Sequence, residues 1–96
     1  MKNLLAELDK AFENKVRLGI MSALMVNDHL DFTTLRDLLG VTDGNLASHL
    51  KSLEKSEYVE FRKDFLNRKP NTKYMITTKG KTAFKKHIKA LENLLK

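Results

Sequence analysis

Apolar residues recur at helical spacing in the first half of the chain. Val16, Ile20 and Leu24 lie four residues apart, and no proline interrupts residues 14–27. Because positions three or four apart share one face of a helix, this segment predicts a core helix. Similar spacing nearer the N-terminus indicates either a separate short helix or an extension of the first one, with the apolar residues Leu4, Leu5, Leu8 and Phe12.

Two further helices are predicted close together in the middle of the chain. A short helix is expected at residues 34–39, with Thr33 as its N-cap and Gly40 at its end. The next helix is expected at residues 43–56, with Asp43 as its N-cap and an apolar face made of Leu46, Leu50 and Leu53. Only a few residues separate the two helices, which is the spacing of a helix-turn-helix.

After Ser56 the apolar pattern changes from helical spacing to alternation, which predicts a strand. Its two faces are expected to carry Val59, Phe61, Lys63 and Phe65 on one side and Glu60, Arg62 and Asp64 on the other. A polar loop at residues 67–71 leads to a second strand at residues 72–77, so the two strands predict a β-hairpin. A last helix is expected from Thr78, and a very short strand at residues 30–32.

Length and composition limit what this protein can be. With 96 residues, of which 42% are hydrophobic and 31% charged, one α+β domain is expected over residues 1–96, mainly helical with a small hairpin. The sequence contains no cysteine, no apolar run long enough to span a membrane and no signal-peptide pattern. We therefore expect a cytoplasmic protein without disulfides, thiolate metal sites or a membrane partner.

Positive charge is concentrated in the second part of the chain. Residues 1–40 carry five Lys/Arg against six Asp/Glu, net −1, whereas residues 41–96 carry thirteen against six, net +7. A regional positive field favours a polyanionic partner, with nucleic acid ahead of an anionic membrane. A lysine-rich surface that only keeps the domain soluble would show the same imbalance.

Four stretches are characteristic in their order and spacing, and together they cover most of residues 14–84. They are Val16–Leu24, Phe32–Glu54, Tyr58–Glu60 and Tyr74–Gly80. In this order they resemble winged-helix transcriptional regulators of the MarR and ArsR type. The resemblance implies a winged helix-turn-helix fold, with the order helix, strand, helix, helix, strand, strand, helix, that binds double-stranded DNA.

The sequence departs from this resemblance at one turn. Such proteins usually have a glycine before the first strand of the wing, whereas this chain has Ser56 and Glu57 there. A backbone with positive φ is easy for glycine and costs other residues about 1 kcal/mol. Either this turn differs or Glu57 has a strained backbone.

In the implied fold, the helix at residues 43–56 is the recognition helix. Its leucines pack inward, so the opposite face can enter the major groove. Asparagine can pair with adenine, serine and histidine can donate to bases or phosphates, and glycine permits close backbone approach. The candidate DNA contacts here are Thr42, Gly44, Asn45, Ser48, His49, Lys51 and Ser52. The same residue types also occur on any exposed helix face.

The hairpin is expected to bind the phosphate backbone. Five cations lie within twelve residues, namely Arg62, Lys63, Arg68, Lys69 and Lys73. Arginine at a wing tip can also enter the adjacent minor groove. Charged strand edges protect against aggregation as well, but five cations on so short a hairpin exceed that need.

The two ends of the chain, residues 1–13 and 84–96, are expected to form a homodimer interface. Their apolar residues are Leu4, Leu5, Leu8, Phe12, Phe84, Ile88, Leu91 and Leu95. A dimer would place two recognition helices one DNA turn apart, roughly 34 Å. Packing of the two ends within one chain is the alternative.

No residues with catalytic spacing are found, so we expect neither an enzyme nor a cofactor. His29, His49 and His87 lack metal-ligand spacing, and His87 is expected to be exposed on the last helix. The sequence thus predicts a transcriptional regulator that binds specific duplex-DNA sequences as a dimeric repressor, without indicating an effector. A protein-interaction module and a nucleic-acid-binding domain without sequence preference are the alternatives.

Overall fold

A computed structural model describes residues 3–96, and its helices and strands follow one another in the expected order. The helices are α1 (Lys15–Met25), α2 (Phe32–Leu39), α3 (Asp43–Lys55) and α4 (Thr78–Leu94). The strands are β1 (Leu30–Asp31), β2 (Val59–Leu66) and β3 (Lys69–Ile76). Two 3₁₀ turns, η1 (Leu4–Glu7) and η2 (Lys10–Phe12), precede α1. The predicted α+β order is therefore confirmed.

The caps of α2 and α3 differ from those that the sequence predicted. Asp31, not Thr33, caps α2, because its Oδ1 accepts from the Thr34 N–H at 2.8 Å. Hydrogen bonds from the backbone and the side chain of Thr34 lower the pKa of Asp31. Thr42, not Asp43, caps α3, since the capping residue has extended backbone and Asp43 is already the first helical residue.

The core packs α1, α2 and α3 against one another. Its most deeply buried side chains are each less than 2% exposed and are Ile20, Met21, Leu24, Leu35, Leu46, Leu50 and Leu53. The predicted apolar face of α3 is confirmed, since all three of its leucines are among them. Each fully buried leucine stabilises the fold by about 1.5–3 kcal/mol, so this packing fixes which face of α3 remains outside.

The sheet is antiparallel, with the strand order β1-β3-β2. β2 and β3 pair over their whole length around a two-residue turn at Asn67 and Arg68, whose φ angles are 52° and 65°. Positive φ at both positions suits the twist of a tight hairpin. The predicted loop at residues 67–71 is therefore wrong, because residues 69–71 belong to β3 and lengthen the wing.

The turn between α3 and β2 has a strained backbone at Glu57, which was one of the two alternatives predicted from the sequence. Glu57 has a φ of 63°. Its N–H donates to the carbonyl oxygen of Glu54 at 2.9 Å, and the Tyr58 N–H donates to that of Leu53 at 3.0 Å. These two bonds form a Schellman motif, whose left-handed position is usually glycine.

The N-terminal segment folds back onto α4 instead of extending α1. The Asp9 N–H donates to His87 Nδ1 at 3.0 Å, and Asp9 Oδ2 accepts from the Tyr58 hydroxyl at 2.7 Å. The Phe12 ring lies 5.3 Å from the ring centroids of Tyr58, Phe84 and His87. This aromatic cluster attaches the segment to both α4 and the base of the wing.

The burial of this cluster corrects three sequence predictions. Phe12 and Phe84 are 2% and 5% exposed, so both pack mainly in the core of the chain itself and leave little surface for a second copy. His87 is 3% exposed, not an exposed helix residue. The spacing within α4 could not indicate this, because the partner of His87 lies 78 residues earlier in the chain.

Candidate nucleic-acid interface

The face of α3 opposite its buried leucines is open to solvent. Residues three and four apart on this face form an exposed stripe, consisting of Gly44, Ser48, Lys51 and Lys55, with Asn45 and Ser52 beside it. Five of these six residues were predicted as DNA contacts. Lys55 was not, although its helical spacing from Lys51 would have identified it.

The N-terminus of α3 is uncrowded. Thr42 Oγ1 accepts from the Asn45 N–H at 3.1 Å, which leaves its hydroxyl hydrogen available to another acceptor. A Cβ placed on Gly44 would have no heavy atom within 4 Å. Asp43 Oδ1 accepts from Arg36 Nη1 at 2.9 Å, and this ion pair joins α2 to α3. A phosphate or base edge can therefore approach the backbone at Gly44.

His49 lies on the flank of α3 that faces α1, away from the centre of the exposed stripe. Its Nδ1 is 3.1 Å from Arg17 Nη1. Arg17 Nε donates to the carbonyl oxygen of Ala11 at 2.6 Å, which holds the guanidinium in place. Arg17 was not predicted as a site residue, and its role depends on a contact with a residue 32 positions away.

The opposite flank of α3 and the hairpin border one groove of about 230 Å³, the α3–wing groove. Its lining comes from α3 with Ala47, Lys51 and Glu54 and from the hairpin with Phe61, Lys63, Thr72 and Tyr74. The recognition helix and the wing therefore lie on the same side of the molecule. A single elongated partner could contact both.

The α3–wing groove contains one acid among its basic residues. Partial burial raises the pKa of Glu54, and the neighbouring Lys51 opposes that shift. Burial and the charge of Glu54 together raise the pKa of Tyr74. Lys51 thus offsets the negative charge of Glu54 within the α3–wing groove.

Strand alternation separates the five cations of the wing. Phe61, Lys63 and their partners Tyr74 and Thr72 form the face toward α3, so Lys63 points to the α3–wing groove. Neighbouring positions in the pleat point the other way, which places Arg62 and Lys73 on the outer face.

The outer face has its own acidic partners. Arg62 Nε lies 3.4 Å from Asp64 Oδ2. Lys73 pairs in register with Asp31 of β1 on one side and with Arg62 on the other, and its charge contributes to the lowered pKa of Asp31. Pleating therefore separates Lys63 from Arg62 and Lys73, as the alternation along β2 indicated for Lys63 and Arg62.

The tip of the wing is cationic and exposed. Arg68 lies in the turn and Lys69 follows it at the start of β3. Within residues 3–96, no salt bridge engages Arg68, Lys69 or Lys63. These three cations are therefore not neutralised by this part of the chain.

The residues predicted for a dimer interface divide by exposure. Leu4, Leu5, Leu91 and Leu95 are 37%, 67%, 37% and 88% exposed, whereas Leu8 and Ile88 are half-buried. Leu94, which was not predicted, is 39% exposed. Since η1 packs against α4, the exposed leucines of both ends belong to the same region of the molecule.

Neither a cluster of metal ligands nor a membrane-spanning helix is found in the described part of the chain. Over residues 3–96, no three His, Cys, Asp or Glu side chains come together as metal ligands. No helix in that range is long and apolar enough to cross a bilayer.

Comparison with other proteins identifies the family. Residues 16–95 match the family described as winged helix DNA-binding domain. This chain belongs to that family. An uncharacterized protein of Methanocaldococcus jannaschii is 38% identical over 87 residues, which span 91% of this chain and 95% of that protein.

Solved structures agree with the family assignment. A transcriptional regulator homologue from Pyrococcus horikoshii OT3 is 33% identical with a TM-score of 0.88, over 96% of this chain and 93% of that one. A MarR-family transcriptional regulator from Silicibacter pomeroyi shares the fold at 17% identity and a TM-score of 0.70, over 94% of this chain and 60% of that one. The winged-helix resemblance is confirmed, and the chain is a DNA-binding protein of the transcriptional-regulator type.

Proposed function

We propose that this winged-helix protein is a dimeric repressor that recognises a specific sequence of duplex DNA. The observation that carries the proposal is the α3–wing groove, because α3 and the hairpin border it together and so can engage one duplex. A bound dimer would cover its site and exclude other proteins from it. The protein would act in the reducing cytoplasm, which suits a chain without cysteine.

Base recognition is assigned to the exposed stripe of α3. Ser48 lies at its centre, with Asn45 and Ser52 beside it, and all three residues are exposed. The major groove is about 12 Å wide and admits a helix. Short polar side chains on that helix can then reach donors and acceptors on the base edges. Thr42 and Gly44 would bring the helix N-terminus close to a phosphate.

Phosphate binding is assigned to the cations that face the same side as α3. Lys51 and Lys63 line the α3–wing groove, and Arg68 and Lys69 extend the positive charge to the tip. Arg62 and Lys73 contribute less, because they lie on the outer face beside Asp64 and Asp31.

Dimer formation is assigned to the leucines exposed at the two ends of the chain. They are Leu4, Leu5, Leu91, Leu94 and Leu95, and an exposed apolar surface of this kind favours self-association. An apolar groove of about 380 Å³ between α1 and α4 adjoins them through Ile88. A twofold dimer would match a palindromic site with half-sites roughly 34 Å apart.

Selection from a random-sequence duplex library tests the proposal. The wild-type chain should enrich one palindromic motif, and its affinity for that motif should exceed its affinity for unselected duplex by roughly a thousandfold or more. Ser48→Ala should change the preferred bases. Thr82→Ala removes an exposed hydroxyl from α4, outside the exposed stripe, the wing and the proposed dimer surface, and should leave the motif unchanged.

Other outcomes would contradict the proposal in distinct ways. Equal affinity for all duplexes would indicate binding without sequence preference, and no binding to duplex would favour a protein-interaction module. A motif without twofold symmetry, together with a monomer in sedimentation experiments, would exclude the dimer. Enhanced transcription from a reporter that carries the motif would exclude repression.

A further inference from the structure

The wing carries two exposed aromatic residues on the face that points toward α3. Phe61 and Phe65 lie on the face of β2 that points toward α3, and they are 47% and 79% exposed. Phe61 packs against Tyr74, with ring centroids 6.2 Å apart. Phe65 lies nearer the tip, opposite the exposed Pro70. A ring so exposed at the end of a hairpin adds little to the core.

The surroundings of Phe65 indicate the chemistry of its partner. Lys63 shares its face, and Arg68 and Lys69 follow it at the tip, without a salt bridge in the described part of the chain. A partner that binds both the exposed ring and the cations around it needs an anionic surface next to an apolar interior. Duplex DNA has this character, because phosphates flank the stacked bases.

The spacing along β2 places the ring beyond the groove that α3 would occupy. From Phe61, beside α3, to Phe65 the strand advances roughly 13 Å. That distance is comparable to the major-groove width of about 12 Å. With α3 in the major groove, Phe65 would therefore cross the intervening backbone and reach the neighbouring minor groove.

We propose that Phe65, supported by Pro70, enters a base step of that minor groove and bends the DNA. Apolar side chains inserted in this way partly unstack the step and kink the duplex. The cations around the ring hold the adjacent phosphates while the step opens. This inference rests on the proposed function, since α3 must first dock in the major groove.

A fluorescence measurement of DNA bending tests this inference. The probe is a duplex obtained by selection with the wild-type chain and labelled with a donor and an acceptor dye at its ends. The wild-type chain should shorten the distance between the dyes, as expected for a kink on the order of 20–90°. Phe65→Ala should abolish that change and lower the affinity about tenfold. Phe65→Leu, which keeps an apolar wedge, should retain most of the bend.

Two control variants separate wedge insertion from other effects. Val26 is 81% exposed at the end of α1, so Val26→Ala removes an exposed apolar side chain outside the wing and should leave the bend unchanged. Arg68→Ala should weaken binding but keep the bend at saturating protein. Circular dichroism and thermal unfolding should show that Phe65→Ala folds normally, since the side chain is outside the core.

The results distinguish this inference from the proposed function. If the wild-type chain selects and binds a motif but leaves it straight, the wedge is refuted and the regulator proposal stands. If Phe65→Ala keeps the bend and instead reduces self-association in sedimentation experiments, Phe65 contacts a second protein copy and not DNA. If no duplex is bound at all, both proposals are refuted.

Discussion

Arg17 of α1 fixes the ring of His49 on α3, with Nη1 and Nδ1 3.1 Å apart. A guanidinium can only donate hydrogen bonds, so Nδ1 accepts in this contact and the ring hydrogen lies on Nε2. If His49 contacts DNA, as the sequence predicts, position 49 offers a hydrogen-bond donor and not an acceptor. The bond between Arg17 Nε and the Ala11 carbonyl oxygen makes this arrangement depend on the N-terminal segment.

Replacement of Arg17 should weaken specific binding through His49. In Arg17→Met the ring loses its donor partner and both tautomers become populated, so affinity for the selected motif should fall roughly threefold to tenfold. Nitrogen NMR of the imidazole should show the mixed tautomers. Lys15→Met removes the same charge from the exposed start of α1 and should change neither result.

A double-mutant cycle checks that Arg17 acts through His49. If it does, Arg17→Met should have little further effect in a His49→Ala background. Additive losses of affinity would show that Arg17 acts independently, for example as a phosphate contact, and would contradict the positioning role.

The two faces of the wing should differ in the salt dependence of DNA binding. Arg68→Ala removes a cation that no carboxylate in the described chain neutralises, so the slope of log affinity against log salt should decrease by about 0.9. Arg62→Ala removes a cation of the outer face, 3.4 Å from Asp64, and should leave the slope nearly unchanged. Titrations of unselected duplex at several salt concentrations measure both. Equal slopes for the two variants would show that pleating does not divide their roles.

Helical periodicity predicted the part of the fold that depends on burial. Leu46, Leu50 and Leu53 are buried as their spacing indicated, because a helix with one apolar stripe has only one way to pack. The caps were less predictable. Asp31 and Thr33, or Thr42 and Asp43, are all capable side chains next to a helix start, and only backbone geometry decides between them.

The contacts that shape the candidate site could be predicted only in part. Exposure along α3 follows directly from the buried leucines, so most of the exposed stripe was identified. Alternation in β2 also separated Lys63 from Arg62, but only the packing of the hairpin beside α3 shows which of them faces the groove. The bonds of Asp9 with Tyr58 and His87 join segments distant in sequence, and no local pattern indicates them.

Gly44→Ala should stabilise the fold and weaken DNA binding. No heavy atom lies within 4 Å of the added Cβ, and alanine favours a helix over glycine by about 1 kcal/mol. The melting temperature should therefore rise, while the methyl group blocks close approach of DNA to the helix N-terminus. Thermal unfolding and titration of the selected duplex measure the two effects. Unchanged affinity would indicate that DNA does not approach the backbone here.

Gly80→Ala is a comparison variant for Gly44→Ala, because the same added methyl group should lower the melting temperature instead of raising it. A Cβ at Gly80 would collide with the Tyr58 carbonyl oxygen, so this substitution should lower the melting temperature. Gly80 lies in the first turn of α4 and outside the proposed interface. Because Tyr58 directly precedes β2, a loss of DNA binding in the folded fraction of this variant would indicate that the collision displaces the wing.

Glu57→Gly should stabilise the chain by about 1 kcal/mol. The left-handed backbone at Glu57 is strained with a side chain and relaxed with glycine, and the Schellman hydrogen bonds use only backbone atoms. The substitution also removes the ion pair with Lys79, which contributes little because it is exposed and 4.0 Å long. Urea unfolding measures the change in free energy. Lower stability would show that the side chain contributes more than the strain costs.

Tyr58 should ionise well above the ordinary range of tyrosine. The hydrogen bond to Asp9, burial and the charge of that carboxylate raise the pKa of Tyr58 from 10.0 to about 12. Because the bond requires the protonated phenol, its stabilising effect is present below pH 10 and is lost as the pH rises from 10 to about 12. Tyrosinate absorbance reports this directly, since the chain has two tyrosines and no tryptophan.

Two variants isolate the titration of Tyr58. In Tyr74→Phe only Tyr58 absorbs, and its transition should be centred near pH 12. In the wild-type chain Asp9 Oδ1 caps η2 by accepting from the Ala11 N–H at 2.9 Å, while Oδ2 accepts from Tyr58. Adding Asp9→Ser to Tyr74→Phe keeps an oxygen that can cap η2 but removes the one that reaches Tyr58. The transition should then move toward pH 10. A midpoint near pH 10 before Asp9 is changed would mean that the N-terminal segment is not attached to the base of the wing in solution.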